Sequence, residues 1–196
     1  MRGLFRLVGA AALALSCSAW PTLAGEEGNY VSAATNFVKE HVLPWANDPV
    51  IVDAILRQNA ETAGFDQARI DGLDKEWRAE VERPNKPEIQ ALLSHEASKF
   101  LRTRRDETHG LVTEIILMDA RGLNTAQTDA TSDFWQGDEA KFQKSFSAGS
   151  GAIFVDDIEE DESTGILQTQ VSITITDPES GQPIGAMTVG IDMDRL

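Results

Sequence analysis

Asp133, Phe134, Trp135 and Gln136 stand side by side in ATSDFWQG, a stretch of otherwise small and polar residues. An indole face with a carboxylate and an amide beside it suits a cationic or amine-bearing molecule, because the ring attracts the cation and the carboxylate neutralises it. Large rings in a polar loop cover something, since each removes a large area from water. From the residues alone two readings stay open. The loop closes over a small molecule, or Trp135 plugs the protein's own core with its indole N–H satisfied locally.

Other residue types are weighed the same way. Gln170, Ser172 and Thr174 alternate with Val171, Ile173 and Ile175, which places an amide and two hydroxyls on one face of a strand. That face is either solvated or lines a pocket. Asp192, close to the end of the chain, is either a pocket acid or a terminal charge. The run Asp156, Asp157, Glu159, Glu160, Asp161 and Glu162 invites calcium. It lacks the mid-loop glycine and closing bidentate glutamate of an EF-hand, and reads as a solvated acidic hairpin. His41, His95 and His109 are isolated and show no metal-ligand spacing, so no metal and no other cofactor is expected. There is no G-x-S-x-G, no serine tied to a histidine by a motif, and no phosphate loop or dinucleotide fingerprint. Carboxylate pairs are too numerous for one to stand out, and an enzyme is not expected.

Charge narrows the partners. Among 196 residues, 32 are acidic and 17 basic, for a net charge of −15. Such a chain is repelled by phosphate backbones and anionic lipid, which argues against nucleic acid. The start has a different character. Arg2 and Arg6, the apolar run Leu7–Ala19 and the small residues before Gly25 have the layout of a secretory signal over residues 1–24. The run is too short to span a bilayer comfortably. Cys17 lies inside it, and a lipid anchor there would need a leucine-type residue where Ala14 stands. Cleavage after Ala24 leaves a soluble chain without cysteine, exported yet free of disulfides, which points to a bacterial periplasm.

Residues 25–86 read as helical. Val31, Phe37, Val38 and Val42 share a face up to Pro44, and Asp48-Pro49 caps a helix running to about Thr62. A third piece covers Asp71–Glu82, with Leu73 and Trp77 one turn apart. Pro87 then opens the longest helix, with Ile89, Leu92, Leu93, Phe100 and Leu101 on its stripe and Gly110 at its end. From Leu111 the period changes to that of strands: Leu111–Asp119, Leu123–Thr128, Ala152–Ile158, Ile166–Thr176 and Ile184–Asp192. Hairpin turns at Asp119–Gly122, Glu159–Gly165 and Asp177–Gly181 make the sheet antiparallel. A short helix over Gly137–Ser147 puts Phe142 and Phe146 on one face. The fold class is α+β, with amphipathic helices covering one face of the sheet.

These elements resemble the Cache domains, extracytoplasmic PAS-like sensor modules of bacterial receptors. The likeness rests on a long helix feeding a five-stranded antiparallel sheet, on DARGLN after the first strand and on IGAMTVGIDMDRL as the last. TSDFWQGDEAKFQ and DESTGILQTQVSITITDPESGQPIGAMTVG are similar to stretches of small secreted proteins made of a single Cache domain. The resemblance covers residues 87–196 well and the earlier helices loosely. It implies that a small metabolite (a carboxylate, an amine or an amino acid) binds on the sheet face away from the long helix. The cover would be the loop and short helix between strands two and three.

On this chain the resemblance makes Asp129–Gly137 the lid, with Trp135 as its aromatic wall beside Asp133 and Gln136. Gln170, Ser172 and Thr174 become the floor, and Asp192 the acid that holds the ammonium of amine ligands. The arginine that amino-acid-binding members carry shortly before the lid tryptophan has no counterpart in Ala130–Phe134, which speaks against α-carboxylate recognition.

The function expected on these grounds is a secreted periplasmic sensor for an amine or other small polar metabolite. The chain stops at Leu196 without a membrane span or signalling domain, so a separate membrane receptor or histidine kinase would read it. The alternative is a ligand-free interaction module that docks on a receptor's periplasmic domain. Family members often pair through their long helices, which adds a homodimer to the expectations.

Overall fold

The computed structural model describes residues 24–160 and 165–196. The expected signal segment before Ala24, with Cys17, lies outside these residues, as do Asp161 and Glu162 of the acidic turn.

Asp48 and Pro49 show how local chemistry lays out the helical layer. The Asp48 carboxylate accepts the Val50 amide at 3.0 Å and Pro49 supplies the first helical residue, opening helix α3 (Pro49–Thr62). Before it, α1 (Ala24–Phe37) passes through a π-turn (Val38–Val42) into the short α2 (Leu43–Ala46). After it, Asp66 accepts the Arg69 amide at 2.9 Å and starts α4 (Gln67–Val81), one turn earlier than the sequence pattern places it.

The single long helix expected from Pro87 to Gly110 is two helices, α5 (Pro87–Ser94) and α6 (Glu96–Asp106). His95 between them is extended, with ψ 150°, and its Nδ1 accepts the Ala97 amide at 3.2 Å. Ser98 donates to the Leu92 carbonyl at 2.7 Å. Side chains that bond nearby backbone groups compete with the helical ladder, and here they win. The break lets α5 pack on α4 while α6 packs on α3 and the first strand.

The strands are β1 (Val112–Asp119), β2 (Asn124–Gln127), β3 (Ile153–Val155), the two-residue β4 (Glu159–Glu160), β5 (Leu167–Thr176) and β6 (Pro183–Asp192). Between β2 and β3 lie the one-turn α7 (Ala140–Gln143) and a 3-10 turn (Phe146–Ala148). The sheet is antiparallel throughout, in the order β2-β1-β6-β5-β3, with β4 pairing to β5. Its register sets Leu117 and Ile173 on either side of Met187, and Ile115 and Val171 on either side of Val189. These residues face Val38, Ile51, Ile55, Ala97 and Leu101 of the helices in one buried cluster. Each buried Val, Leu, Ile or Met here contributes roughly 1.5–3 kcal/mol over staying in water, so this face holds the fold together. Helices from the 25–86 segment and the sheet therefore share a core. On the other face a smaller cluster forms where Phe142 and Phe146 cover Ile116, Met118 and Ala186.

The Asp119–Gly122 turn is built from one buried carboxylate. Asp119 accepts the amides of Arg121 at 2.8 Å and Leu123 at 2.9 Å through one oxygen. Its other oxygen takes the Thr62 hydroxyl at 2.9 Å and the Gln58 amide at 3.2 Å. Gly122, with φ +78°, lies so close to Gly137 that a Cβ would stand 2.6 Å from its Cα. The turn and the end of the lid thus touch through two glycines.

Candidate functional site

β2 is an edge strand, and its sequence Asn-Thr-Ala-Gln carries three polar side chains that are all buried. A register shift between Leu117 and Met118 pairs them with Ala126 and Asn124, leaving Thr125 as the extra residue. The chain then turns at Thr128 and returns along the outer margin of β2. Asn124 donates its amide to Phe134 O at 2.9 Å, Leu123 bridges to Trp135, and the Gln136 amide reaches Gly122 O at 2.7 Å. The Asn124 side chain donates to Thr131 Oγ1 at 2.9 Å and Asp133 O at 3.1 Å.

From outside, α4 bolts the lid down. Asp74 Oδ1 accepts the backbone amides of Phe134 at 2.8 Å and Trp135 at 3.1 Å. The Trp77 indole donates to Thr131 O at 2.9 Å, and its ring stacks on Phe134 at 5.2 Å between centroids. Arg78 bridges Asp74 at 2.6 Å and Asp133 at 3.1 Å. Burial pushes the Asp74 carboxyl up. The bond from Arg78, the two lid amides and the guanidinium charge outweigh it and hold the group below the usual carboxylate range.

The expected site residues divide into groups. Asp133 and Gln136 come together: Gln136 is fully buried and donates through Nε2 to Asp133 Oδ1 at 2.6 Å. Trp135 is half-buried over Gly137 and donates its indole N–H to Arg121 O at 2.8 Å. Asp129 is exposed at the start of the lid and pairs with Arg105 at 2.6 Å. Gln170 lies on the sheet face opposite the helices and donates to Glu114 at 2.8 Å. Ser172 and Thr174, expected on the floor, are closed over. Ser172 shares a hydrogen bond with Thr188 at 2.9 Å, and Thr174 donates to Ser145 O at 2.8 Å, tying down the segment that carries Phe142 and Phe146. Asp192 sits apart at the end of β6, accepting the Asp194 amide at 2.9 Å and pairing with Arg195 at 3.0 Å.

Among the described residues four buried polar atoms of β2 and the lid have no partner: Asn124 Oδ1, Thr125 Oγ1, Gln127 Nε2 and Gln136 Oε1. The three amide side chains belong to one network. Thr131 touches Asn124 and Gln127, and Asp133 touches Asn124 and Gln136. Buried polar groups are almost always bonded, and an unmet one costs about 1–3 kcal/mol. Asn124, Thr125 and Gln127 were not singled out from the sequence, and neither was the clamp of Asp74, Trp77 and Arg78. The visible signals were a short strand polar at alternate and adjacent positions, and an Asp-x-x-Trp-Arg run on one helix.

Next to this network, on the same face as Gln170, is a cleft of about 360 Å3 lined by Glu139, Lys141, Asp156, Asp157, Gln168 and Gln170. Lys141 pairs with Glu139 at 2.9 Å. Burial raises the Glu139 carboxyl above its ordinary value; Lys141 opposes the rise and the neighbouring Asp133 adds to it. Among the described residues no group of histidine, cysteine or carboxylate is arranged to hold a metal ion. Among them, too, no helix is long and apolar enough to cross a membrane.

No family model matches the chain, and no curated protein matches it. Solved structures do. The sensor domain of the V. cholerae histidine kinase DctB matches at 13% identity and a TM-score of 0.46, over 86% of this chain and 52% of that one. The ligand-binding domain of the Campylobacter jejuni chemoreceptor Tlp3, in complex with 4-methylisoleucine, matches at 12% identity and 0.41, over 78% and 64%. That of the Pseudomonas fluorescens chemoreceptor CtaA, in complex with L-alanine, matches at 14% and 0.39, over 85% and 60%. The chain spans about half to two thirds of these structures. The deciding feature is internal: an antiparallel sheet in the order β2-β1-β6-β5-β3, helices on one face, and a loop with a short helix between β2 and β3 on the other. The fold is α+β, consistent with the Cache resemblance read from the sequence. Within this frame the lid is gripped by a helix of the N-terminal segment, and the sheet face beneath Phe142 is filled by the chain's own side chains.

Proposed function

We propose that the protein is a periplasmic sensor-type binding protein that holds a small polar metabolite beneath its lid and reports to a separate membrane partner. The observation that carries this reading is the set of three unpartnered amide atoms, Asn124 Oδ1, Gln127 Nε2 and Gln136 Oε1, in one network of β2 and the lid. Two amide oxygens call for donors, and an amide nitrogen calls for an acceptor. A small molecule bearing an amine or hydroxyl group and one acceptor meets that complement. Asp133 and the acidic cleft beside it favour an amine over an acid.

The test is native mass spectrometry of the protein purified gently from its own periplasm. A small mass that disappears on denaturation, and is absent from Gln127→Leu and Gln136→Leu, supports the reading. A bare polypeptide mass together with a silent thermal-shift panel of amines and small polar metabolites overturns it. The second reading, a ligand-free interaction module, draws on the closure of Ser172 and Thr174 and on the bonded indole of Trp135. It predicts that lid variants leave binding to the membrane partner intact.

A further inference from the structure

On the helical side of the lid, α4, α5 and Phe134 enclose a groove of about 400 Å3. Leu73, Trp77, Ala91, Leu92 and Phe134 make its apolar walls, and Glu76 and Glu88 stand exposed among its lining residues. Neither glutamate has an ion-pair partner among the described residues, and no lysine or arginine lines the groove. His95 also lines it. Burial first, and the Arg57 charge next, hold that imidazole below its ordinary value, so it adds no positive charge at neutral pH.

We propose that this groove is a second binding site, for a small organic cation with an apolar body, such as an alkyl- or arylalkylammonium. Its size falls at the small-molecule end of the range of roughly 300–1,000 Å3 found for ligand pockets. The apolar walls take the body of the ligand, and the two uncompensated carboxylates take the ammonium. A carboxylate of the same shape meets two like charges instead. Phe134 belongs to both the groove and the lid. An occupant presses on the stacked Trp77 and Phe134 rings, and through Trp77 and Asp74 on the bonds that close the lid. Occupancy of the groove therefore favours the closed lid, and by reciprocity a ligand beneath the lid tightens binding in the groove.

The experiment is an NMR titration of the whole protein with phenethylammonium, hexylammonium and hexanoate, followed at the Trp77 indole and the Phe134 amide. Both ammonium probes are expected to give saturable shifts at these signals, and hexanoate none. The double variant Glu76→Gln/Glu88→Gln, changed only at exposed positions, is expected to bind at least about tenfold more weakly, the size of effect that loss of a charged contact produces. Leu92→Trp, which fills the groove, is expected to abolish the shifts. Equal binding of hexanoate, shifts confined to Trp135 and Gln136, or no saturable shift overturns the proposal. So does concentration-dependent self-association that shields the same residues, which would give the groove to a second copy of the chain. A ligand beneath the lid changes only how tightly the probes bind; which probes give saturable shifts, and at which residues, separates this site from the one beneath the lid.

Discussion

Asp74 in α4 and Phe134 in the lid are joined by a hydrogen bond of 2.8 Å from the Phe134 amide to the Asp74 carboxylate, across 60 residues of chain. The same oxygen takes the next amide, of Trp135, and the other oxygen takes Arg78. One side chain thus orders the loop that carries Asp133 and Gln136. Asp74→Ala is expected to lower stability by on the order of 2 kcal/mol, as loss of bonds to a charged group does. Hydrogen exchange at Phe134 and Trp135 is expected to rise more than exchange in β5 and β6. Uniform loss of protection across the sheet would contradict the local role.

Acid acts on the same clamp. The folded Asp74 carboxyl lies below its ordinary value, so its contribution is complete above that value, near 4, and is lost as pH falls through the depressed one. Lid protection factors, referred to the intrinsic exchange rate at each pH, are expected to fall in that acidic window in the wild type, and to be low and independent of pH in Asp74→Ala.

Glu139 has the opposite sign. Its folded value is raised, so folding favours the protonated carboxyl; the associated stability is complete below the ordinary glutamate value and declines as pH rises through the raised one. Glu139→Gln is expected to flatten that decline in denaturant titrations repeated from pH 4 to 8. An unchanged slope would show that Lys141 already compensates the charge.

The unpartnered amides beneath the lid make a contrary pair of outcomes. Gln127→Leu and Gln136→Leu each remove an unmet buried polar atom, and are expected to raise the melting temperature of the ligand-free protein, by up to about 1–3 kcal/mol in stability. The same variants are expected to lose the ligand. Gln136→Leu also gives up the bond to Asp133, so Gln127→Leu, whose Oε1 is only weakly engaged at 3.4 Å, is the cleaner measurement.

Gly137→Ala tests the seat of Trp135. A Cβ there would stand 2.4 Å from the indole nitrogen, so the ring must move and its bond to Arg121 O is expected to break. A shift in tryptophan emission and faster exchange of that indole N–H are the readouts; an unaltered indole signal would mean the backbone had yielded instead.

Much of the frame was legible in residue order. Asp48-Pro49 announced α3, the alternation of Val171, Ile173 and Ile175 placed the core face of β5, and Phe142 and Phe146 were rightly put on one side of a short segment. The break at His95 was not legible, because an unbroken apolar stripe hides two side chains that bond the backbone. The rings of the lid stood out in a polar loop, and its bounds came from the family resemblance. Its clamp was not, since Asp74 and Arg78 look like ordinary surface charges until α4 is laid against the loop. The polar strand Asn124–Gln127 was read as a plain hairpin arm, because burial on an edge strand depends on what later folds over it.

The returning lid does for β2 what another strand would do. With Asn124 bonded to Phe134 and Leu123 bridged to Trp135, the start of the β2 edge is covered. An unhitched lid frees the backbone groups of that stretch, and free edge groups are a template for another extended chain. The carboxylate of Asp74, by holding the lid along β2, therefore also keeps that stretch of edge from pairing with another chain.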